Sequence, residues 1–237
     1  MSSSPQPTPR LLGPVPFRDL MESLAHDEMV NIVLSHGRTV LKIQRTLLLN
    51  LSPWFNKALT SGFIEGQSLT LRFPRVPSDV VQTFVYWIFH GTLRWDEKSP
   101  EGAMLKTHEE LLPLFTRLWM FGEEHLLPEL QRAAMCALHE ELRHIYPAVK
   151  LLLEVYEGTA PDSPLRKLMA YEAASGWRHG GLSNSDGNAY GYSREDLDQM
   201  GAIPGFTADF AMALEHQVSG ARVSNDGRDT FMTIEFS

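Results

Sequence analysis

The chain has 237 residues, 43% of them hydrophobic, and a formal net charge of −8. This acidic balance disfavours nucleic-acid binding, which gains affinity when Lys and Arg displace counterions from phosphates. The single cysteine excludes an intrachain disulfide and indicates a reducing compartment. No apolar run has membrane-spanning length, and no signal-peptide pattern opens the sequence. The sequence therefore predicts a cytoplasmic protein, a nuclear one or both, with no nucleic-acid or membrane partner.

The N-terminal region is predicted to contain a tail and one helix. Residues 1–16 are rich in Ser and Pro, which predicts a disordered tail. Four apolar residues then follow at helical spacing and form one stripe: Phe17, Leu20, Met21 and Leu24. The stripe is covered either by a second copy of the chain or by the chain's own domain, and the sequence leaves both alternatives open.

The next region predicts a β-hairpin that leads into two short helices. Two strand-like runs, 30–34 and 39–43, flank the turn-prone residues 35–37. One helix is predicted over residues 44–50. Ser52-Pro53 begins the other, with the serine as N-cap and the proline at the first helical position.

A turn, a strand and a buried helix are predicted after the hairpin and its helices. Gly62 and Gly66 flank the turn, and residues 69–73 alternate as a half-buried strand. Residues 80–89 are apolar around nearly the whole helix, which is typical of a buried or interface helix. Gly91 is predicted to end this helix in the left-handed conformation.

Two further helices are predicted near the middle of the chain. Thr107 and Glu110 have the spacing of a capping box, but Pro113 would then lie inside the helix. The helix therefore begins either one residue before Pro113 or with a kink. Pro128 opens the next helix, and Cys136 lies in its apolar pattern, which predicts a buried, inert thiol.

The C-terminal third predicts more helices around one loop. Two helices opened by proline are predicted at 147–156 and 164–176, with Ser163 as N-cap of the second. Residues 177–193 predict a flexible loop, and residues 194–200 one or two helical turns. The last helix, ended by Gly220, has an apolar stripe made of Phe206, Phe210, Ala211, Leu214 and Val218.

Several of these stretches, taken in order, resemble the core of a BTB/POZ domain. They are Val30-Asn31-Ile32-Val33-Leu34, Leu47-Leu48-Leu49, Ser52-Pro53-Trp54-Phe55, Gly62-Phe63-Ile64-Glu65-Gly66, residues 69–73 and 80–89, and Gly91. Three others are similar to the fungal branch of that family: Leu118-Trp119-Met120-Phe121-Gly122, Leu127-Pro128-Glu129-Leu130-Gln131 and Ser163-Pro164-Leu165-Arg166. The resemblance covers residues 17–177, about two thirds of the chain.

The resemblance implies an α/β (α+β) BTB/POZ fold, in which a small sheet is covered by helices. The domain would span residues 17–145 and would be followed by a helical extension over 146–176, the flexible loop, and a C-terminal helix and tail over 194–237. In dimeric members a helix before the first strand packs across the partner. The stripe at residues 17–24 is therefore the candidate homodimer interface.

BTB transcription regulators carry an aspartate just before the first strand and a histidine just after the second, which together build a charged pocket. Met29 and Gln44 occupy the matching positions in this chain, and Arg45 is the only charged residue retained there. The corepressor-binding mode of those regulators is therefore not expected.

BTB proteins that recruit cullin ubiquitin ligases carry a hydrophobic-x-Glu signature after a short strand, which is predicted here at residues 92–95. Trp95, Asp96 and Glu97 are similar to that signature and are the candidate cullin contact. An ordinary solvated loop is the alternative. The helices after residue 146 resemble the extension that widens the cullin contact in adaptors, or they serve as a stabilising cap.

No catalytic, cofactor-binding or metal-binding residues are expected. His139 and His144 are five residues apart, about 140° around a helix, whereas the zinc-protease motif needs a spacing of four. The expected function is a non-enzymatic protein-interaction module that associates with itself, with a protein partner or with both. A substrate adaptor for a cullin-RING ubiquitin ligase is the alternative, and a transcription-associated regulator is a third possibility.

Overall fold

The structure, a computed structural model, describes residues 25–34, 39–93, 106–179 and 191–220, together with Arg18 and Glu22. Its elements are, in chain order, β1 (Met29–Val33), β2 (Val40–Gln44), α1 (Arg45–Leu51), α2 (Pro53–Thr60), α3 (Ile64–Ser68), β3 (Thr70–Arg72), α4 (Ser78–His90), α5 (His108–Glu124), α6 (Pro128–Glu141), α7 (Val149–Gly158), α8 (Pro164–His179), α9 (Arg194–Gly201) and α10 (Phe206–Gly220). The fold is mixed α+β and mainly helical, in agreement with the predicted class.

The three strands form one sheet in the order β2-β1-β3. Strands β1 and β2 are antiparallel, with Val30 opposite Ile43, and β3 runs parallel to β1, with Leu71 opposite Ile32. These four side chains are at most 1% exposed and form the buried side of the sheet. The two hairpin strands predicted from the sequence are thereby confirmed. The turn predicted at residues 35–37 lies outside the described residues.

The chain divides into two compact units. The first unit comprises residues 1–96 and 117–134, and the second comprises residues 97–116 and 135–237. Helices α5 and α6 contribute to both units, because one division falls between residues 116 and 117 in α5 and another between residues 134 and 135 in α6. The sheet and helices α1–α4 belong to the first unit, and helices α7–α10 belong to the second.

An aromatic cluster forms the core of the first unit. Phe55 stacks on Phe84 with 5.7 Å between the ring centroids, and Phe73 meets Phe121 edge to face at 5.4 Å. Local sequence positions Phe55, because Ser52 Oγ accepts a hydrogen bond from its backbone N–H at 3.3 Å. The predicted N-cap of α2 is thereby confirmed. Burying each such ring contributes roughly 1.5–3 kcal/mol to folding.

The segment between α2 and β3 differs from its prediction. The chain between Gly62 and Gly66 enters helix α3 instead of forming a simple turn. Leu69 then adopts a left-handed conformation with φ of 47°. The predicted strand therefore begins one residue late, because only the extended residues from Thr70 onward pair with β1.

Helix α4 begins and ends close to its predicted bounds. It starts at Ser78, and Gly91 follows its last residue with φ of 68° while its N–H donates to the carbonyl of Trp87 at 2.8 Å. The strand predicted after this helix is not formed by Thr92 and Leu93, and its remaining residues lie outside the described part.

Helix α5 begins at His108, so of the two predicted alternatives the start next to Pro113 is wrong, and the helix instead contains Pro113 as the second alternative required. The capping box decides the start, because the N–H of Thr107 donates to Glu110 Oε2 at 2.8 Å. This hydrogen bond also holds the pKa of Glu110 below its usual value. Pro113 lies inside the helix and withholds one hydrogen bond from the carbonyl of Glu109.

Cys136 lies on the outer face of α6 and is exposed, so the predicted buried thiol is wrong. The buried face of this helix carries Leu130, Ala134 and Leu138 instead. Cys136 is two residues from both Ala134 and Leu138, about 200° around the helix, which directs it away from the face that they share.

The helices of the second unit begin mostly where predicted. Helix α8 begins at Pro164, and Ser163 Oγ accepts a hydrogen bond from the N–H of Leu165 at 3.3 Å. This helix continues to His179, so residues 177–179 are helical and do not belong to the predicted loop. Helix α7 begins at Val149, two residues after the proline predicted to open it.

Helix α10 buries a different face from the predicted one. Phe206 is buried as expected, but Ala211 and Val218 are exposed. Ala213 and Gln217 are buried in their place. Helix α10 packs on α8 through this second face, where Gln217 Nε2 donates to the carbonyl of Tyr171 at 2.8 Å.

Candidate functional site

The two positions that match the charged pocket of BTB regulators lie side by side at one end of the sheet. Met29 on β1 is directly opposite Gln44 on β2, so the structure brings these two predicted site residues together. Met29 is 44% exposed and Gln44 is half-buried. Neither side chain carries a charge, so this pair offers an apolar and an amide contact surface.

The third predicted position, Arg45, is held by an ion pair that sequence reasoning did not find. Its Nη1 lies 2.6 Å from Glu28 Oε2, and its Nη2 donates to the carbonyl of Leu59 at 3.0 Å. The adjacent carboxylate of Asp27 accepts a hydrogen bond from the N–H of Thr46 at 3.0 Å and so caps α1. The acidic residues before β1 therefore position the α1 helix.

Large apolar side chains are exposed on the first unit. Phe63 and Ile64 are consecutive at the start of α3 and are 58% and 75% exposed. Phe89, in the last turn of α4, is 60% exposed. Solvent-exposed aromatic and aliphatic side chains are the residues that partner proteins bury. The apolar composition of residues 80–89 predicted a buried or interface helix, which includes Phe89. Phe63 and Ile64 were not identified from the sequence, because a turn was predicted between Gly62 and Gly66.

An open depression of about 420 Å³ lies at the corner between α1 and α2. Its lining combines amide, hydroxyl, ammonium and apolar groups, which suit a polar partner side chain better than an apolar one. The lining residues are Leu49, Asn50, Ser52, Pro53, Asn56 and Lys57.

A buried arginine organises the second unit. Arg166 Nε donates to Thr159 Oγ1 at 3.0 Å, and its Nη2 donates to the carbonyls of Tyr156, at 2.6 Å, and of Thr159. Its guanidinium carbon also lies 4.8 Å from the centroid of the Tyr156 ring. Arg166 therefore satisfies carbonyls at the C-terminus of α7, where a positive charge is favourable. It is the last residue of the Ser163–Arg166 stretch on which the resemblance partly rests.

The same cluster reaches α10 through a tyrosine. Tyr156 Oη donates to Asp209 Oδ2 at 2.7 Å. Burial, with the bond to Asp209, raises the pKa of the Tyr156 hydroxyl well above its ordinary range. The hydroxyl therefore stays protonated and acts as a hydrogen-bond donor between helices, so the cluster holds three helices together and is not arranged for acid–base chemistry.

Three histidines of the described residues, His108, His125 and His144, have structural partners. His108 Nδ1 lies 2.7 Å from Glu141 Oε2, and the ring of His144 stacks on that of His108 at 4.3 Å. His125 is buried among aromatic rings with its Nδ1 at 2.8 Å from the carbonyl of Phe121. In the described part of the chain, no three His, Cys, Asp or Glu side chains converge in a way that could hold a metal ion.

Two sets of predicted site residues lie outside the described residues: Phe17, Leu20, Met21 and Leu24, and Trp95, Asp96 and Glu97. Arg18 and Glu22, between residues of the first set, have helical backbone and exposed side chains, as the polar face of the predicted helix requires. Among the described helices, none has the length and apolar character needed to cross a membrane. No family model matches the chain, and no curated protein gives a significant match to it.

Proposed function

We propose that this chain is a non-enzymatic protein-interaction protein built on a BTB/POZ fold. The order of elements in the first unit supports the proposal: a β-hairpin feeds two short helices, and a third short strand precedes an apolar helix. The exposed Phe63, Ile64 and Phe89 support an interaction role, because burying them in a complex removes apolar surface from water.

The observation that supports the proposal best is the three-stranded sheet together with the two helices that follow β2. Strand β1 pairs with both β2 and β3, so the motif at residues 30–34 is the central strand. The two motifs at 47–49 and 52–55 lie on the helices that leave the sheet directly after β2.

Self-association is the form of interaction that we propose first. A second copy would cover the apolar stripe at Phe17, Leu20, Met21 and Leu24. Light scattering coupled to size-exclusion chromatography tests this on the full chain and on a variant that lacks residues 1–24, which keeps Asp27 and Glu28 in place against α1. The proposal predicts a dimer mass for the full chain and a monomer mass for the variant. A monomer mass for both proteins would contradict it.

The second candidate is a cullin-RING substrate adaptor, which the presence of helices α7 and α8 after the first unit's elements favours. Trp95, Asp96 and Glu97 would contact the cullin. Co-purification from cells with the full chain and with Glu97→Lys tests this role. A cullin that binds the unaltered chain and not Glu97→Lys would support it, and no cullin with either protein would remove it.

A further inference from the structure

An apolar cleft lies among the last three helices, α8, α9 and α10. Its volume is about 320 Å³. Two of its lining residues, Met200 and Phe206, are at most 2% exposed, whereas a third, Trp177, is 42% exposed. The other lining residues are Leu197, Gly201, Thr207 and Phe210. The cleft therefore combines buried apolar side chains with an aromatic ring that the described residues leave partly uncovered.

The lining determines the chemistry of what can bind in this cleft. An apolar cavity of about 150 Å³ holds one benzene molecule, so the cleft has room for an aromatic ring together with an aliphatic side chain. Among the lining residues, only Thr207 and Trp177 have polar side-chain atoms, so a charged group would lose its hydration there without gaining a partner. The three helices carry exposed charges of both signs, such as Arg178 and Glu195, so charge does not select the occupant.

The segment that follows α10 contains the apolar side chains that suit the cleft. Residues 221–237 come directly after the helix and lie outside the described residues. In their sequence Met232, Ile234 and Phe236 alternate with polar residues, so an extended backbone would place these three side chains on one face. Residues 180–190, which follow α8, contain no alternating apolar run. The sequence therefore favours the segment after α10 as the occupant.

The length of the connecting chain matches the distance to the cleft. A helix rises 1.5 Å per residue, so Phe210 and Phe206 lie about 15 to 21 Å along α10 from its end at Gly220. Met232 is twelve residues after Gly220. Twelve residues without regular structure have an r.m.s. span of roughly 17–21 Å. The effective concentration of a tethered segment is highest when its span matches the distance to its site, which favours this segment over an untethered partner or a second copy.

We propose that residues 232–236 turn back along α10 and cover the cleft within the same molecule. Met232, Ile234 and Phe236 lie against the apolar lining, and the two residues between them face the solvent. Covering the cleft removes the exposed part of Trp177 from water and extends the apolar core of the second unit. This surface does not involve the stripe at residues 17–24, so failure of the self-association proposal and failure of this one are separate results.

The test uses the full chain labelled with fluorotryptophan, in which each of the five tryptophans gives a fluorine NMR signal. The variant Trp177→Phe identifies the signal of Trp177. A neutral, soluble gadolinium chelate broadens the signals of exposed rings, and the Trp177 signal of the unaltered chain should be protected from it. Ile234→Asp should lower the ratio of covered to uncovered clefts by about tenfold or more, because an apolar site does not accept a carboxylate. The Trp177 signal should then broaden.

Two matched controls separate the proposed contact from a general effect of charge. Thr233→Asp adds the same charge on the opposite face of the extended segment and should leave the Trp177 signal protected. On the cleft, Thr207→Glu should make the signal broaden, because Thr207 is part of the lining. Ala208→Glu adds the same charge at the next position, which is exposed and outside the lining, and should leave the signal protected.

Three results would overturn the proposal. The first is equal broadening of the Trp177 signal in the unaltered chain and in Ile234→Asp, or equal effects of Ile234→Asp and Thr233→Asp. The second is protection that disappears on dilution, which would make a second copy the occupant. The third is protection that Leu182→Asp removes and Ile234→Asp leaves in place, which would assign the cleft to residues 180–190.

Discussion

At the scale of single residues, Arg166 shows why a short sequence motif can be required by the fold. Ser163 and Pro164 start helix α8, and this start places the arginine two residues further on, against the end of α7. Arg166 then donates to two carbonyls and one hydroxyl inside the second unit. A planar guanidinium can bond these acceptors at once, whereas a lysine ammonium on a flexible stem cannot match the same geometry.

Arg166→Lys should therefore lower the free energy of unfolding by about 1–3 kcal/mol, since it leaves buried carbonyls without donors. Urea denaturation followed by circular dichroism measures this change. Arg178→Lys makes the same substitution at an exposed position of the same helix and should change stability little. Equal effects of the two substitutions would show that Arg166 does not have the role assigned to it.

At the scale of elements, helix α8 requires a glycine at the point where two tyrosine rings pack closely against it. A Cβ atom at Gly176 would lie 2.8 Å from Tyr192 Cε2 and 2.9 Å from Tyr146 Cγ. Tyr192 cannot easily move away, because its hydroxyl donates to the carbonyl of Pro147 at 2.6 Å. The close packing of the two rings on α8 therefore requires a residue without a side chain.

Gly176→Ala should reduce stability by about 1–3 kcal/mol, because the added methyl displaces at least one of the two rings. The control is Gly201→Ala at the end of α9, where a Cβ atom would meet nothing within 4 Å. That change should be neutral or stabilising by up to about 1 kcal/mol. Thermal denaturation of both variants measures the difference, and a stabilising Gly176→Ala would contradict the packing argument.

Helix α5 gives a second prediction at this scale, because Pro113 interrupts its hydrogen bonds. Pro113→Ala restores a donor to the carbonyl of Glu109 and should stabilise the protein by about 1 kcal/mol, after allowance for the more flexible unfolded chain. Pro128→Ala, at the first position of α6 where no donor is needed, should give no such gain. Denaturation midpoints of the two variants measure the contrast. Destabilisation by Pro113→Ala would mean that the proline ring packs where an ordinary helix residue does not fit.

At the scale of the whole molecule, sequence signals that act within a few residues predicted the helices and strands well. Contacts between residues far apart in the sequence could not be predicted. The caps at Ser52 and Gly91 act within four residues, so the sequence alone indicates them. The pair of Glu28 and Arg45 joins residues 17 apart across the hairpin, and no spacing rule reveals it. The exposure of Cys136 and of Val218 depends on which side of a helix meets its neighbour, which apolar periodicity does not decide when two faces are both apolar enough.

His125, in the first unit, should contribute to the loss of stability at low pH. Burial lowers the pKa of His125, which favours its neutral ring in the folded state. The same side chain titrates near about pH 6.5 when unfolded. The stability that the neutral His125 contributes should therefore be fully present above about pH 6.5. It should be lost as the pH decreases toward the lower pKa of the folded state. Urea midpoints at about pH 7.5 and about pH 5.5 should differ less in His125→Phe than in the unaltered chain. His26→Phe, at an exposed position, should keep the full difference.

Tyr192, in the second unit, should contribute to the loss of stability at high pH. Burial raises the pKa of the Tyr192 hydroxyl well above its ordinary value, so the folded state favours the protonated phenol. The stability that the protonated Tyr192 contributes should be fully present below about pH 10, and it should decrease as the pH rises above that value. Tyr192→Phe keeps the ring but removes the hydrogen bond to Pro147. It should lower stability by about 1 kcal/mol at neutral pH and reduce the loss at high pH. An unchanged alkaline loss would belong to another group.

The exposed position of Cys136 has a practical consequence for measurements of the molar mass of this protein in solution. Two molecules can be joined by an interchain disulfide in air, since the thiol is on the surface and no other cysteine competes for it. A covalent pair of this kind would imitate a native assembly unless a reductant or Cys136→Ser is used. The same thiol also offers one unique attachment point for a dye, so that energy transfer between labelled molecules can report on genuine pairing.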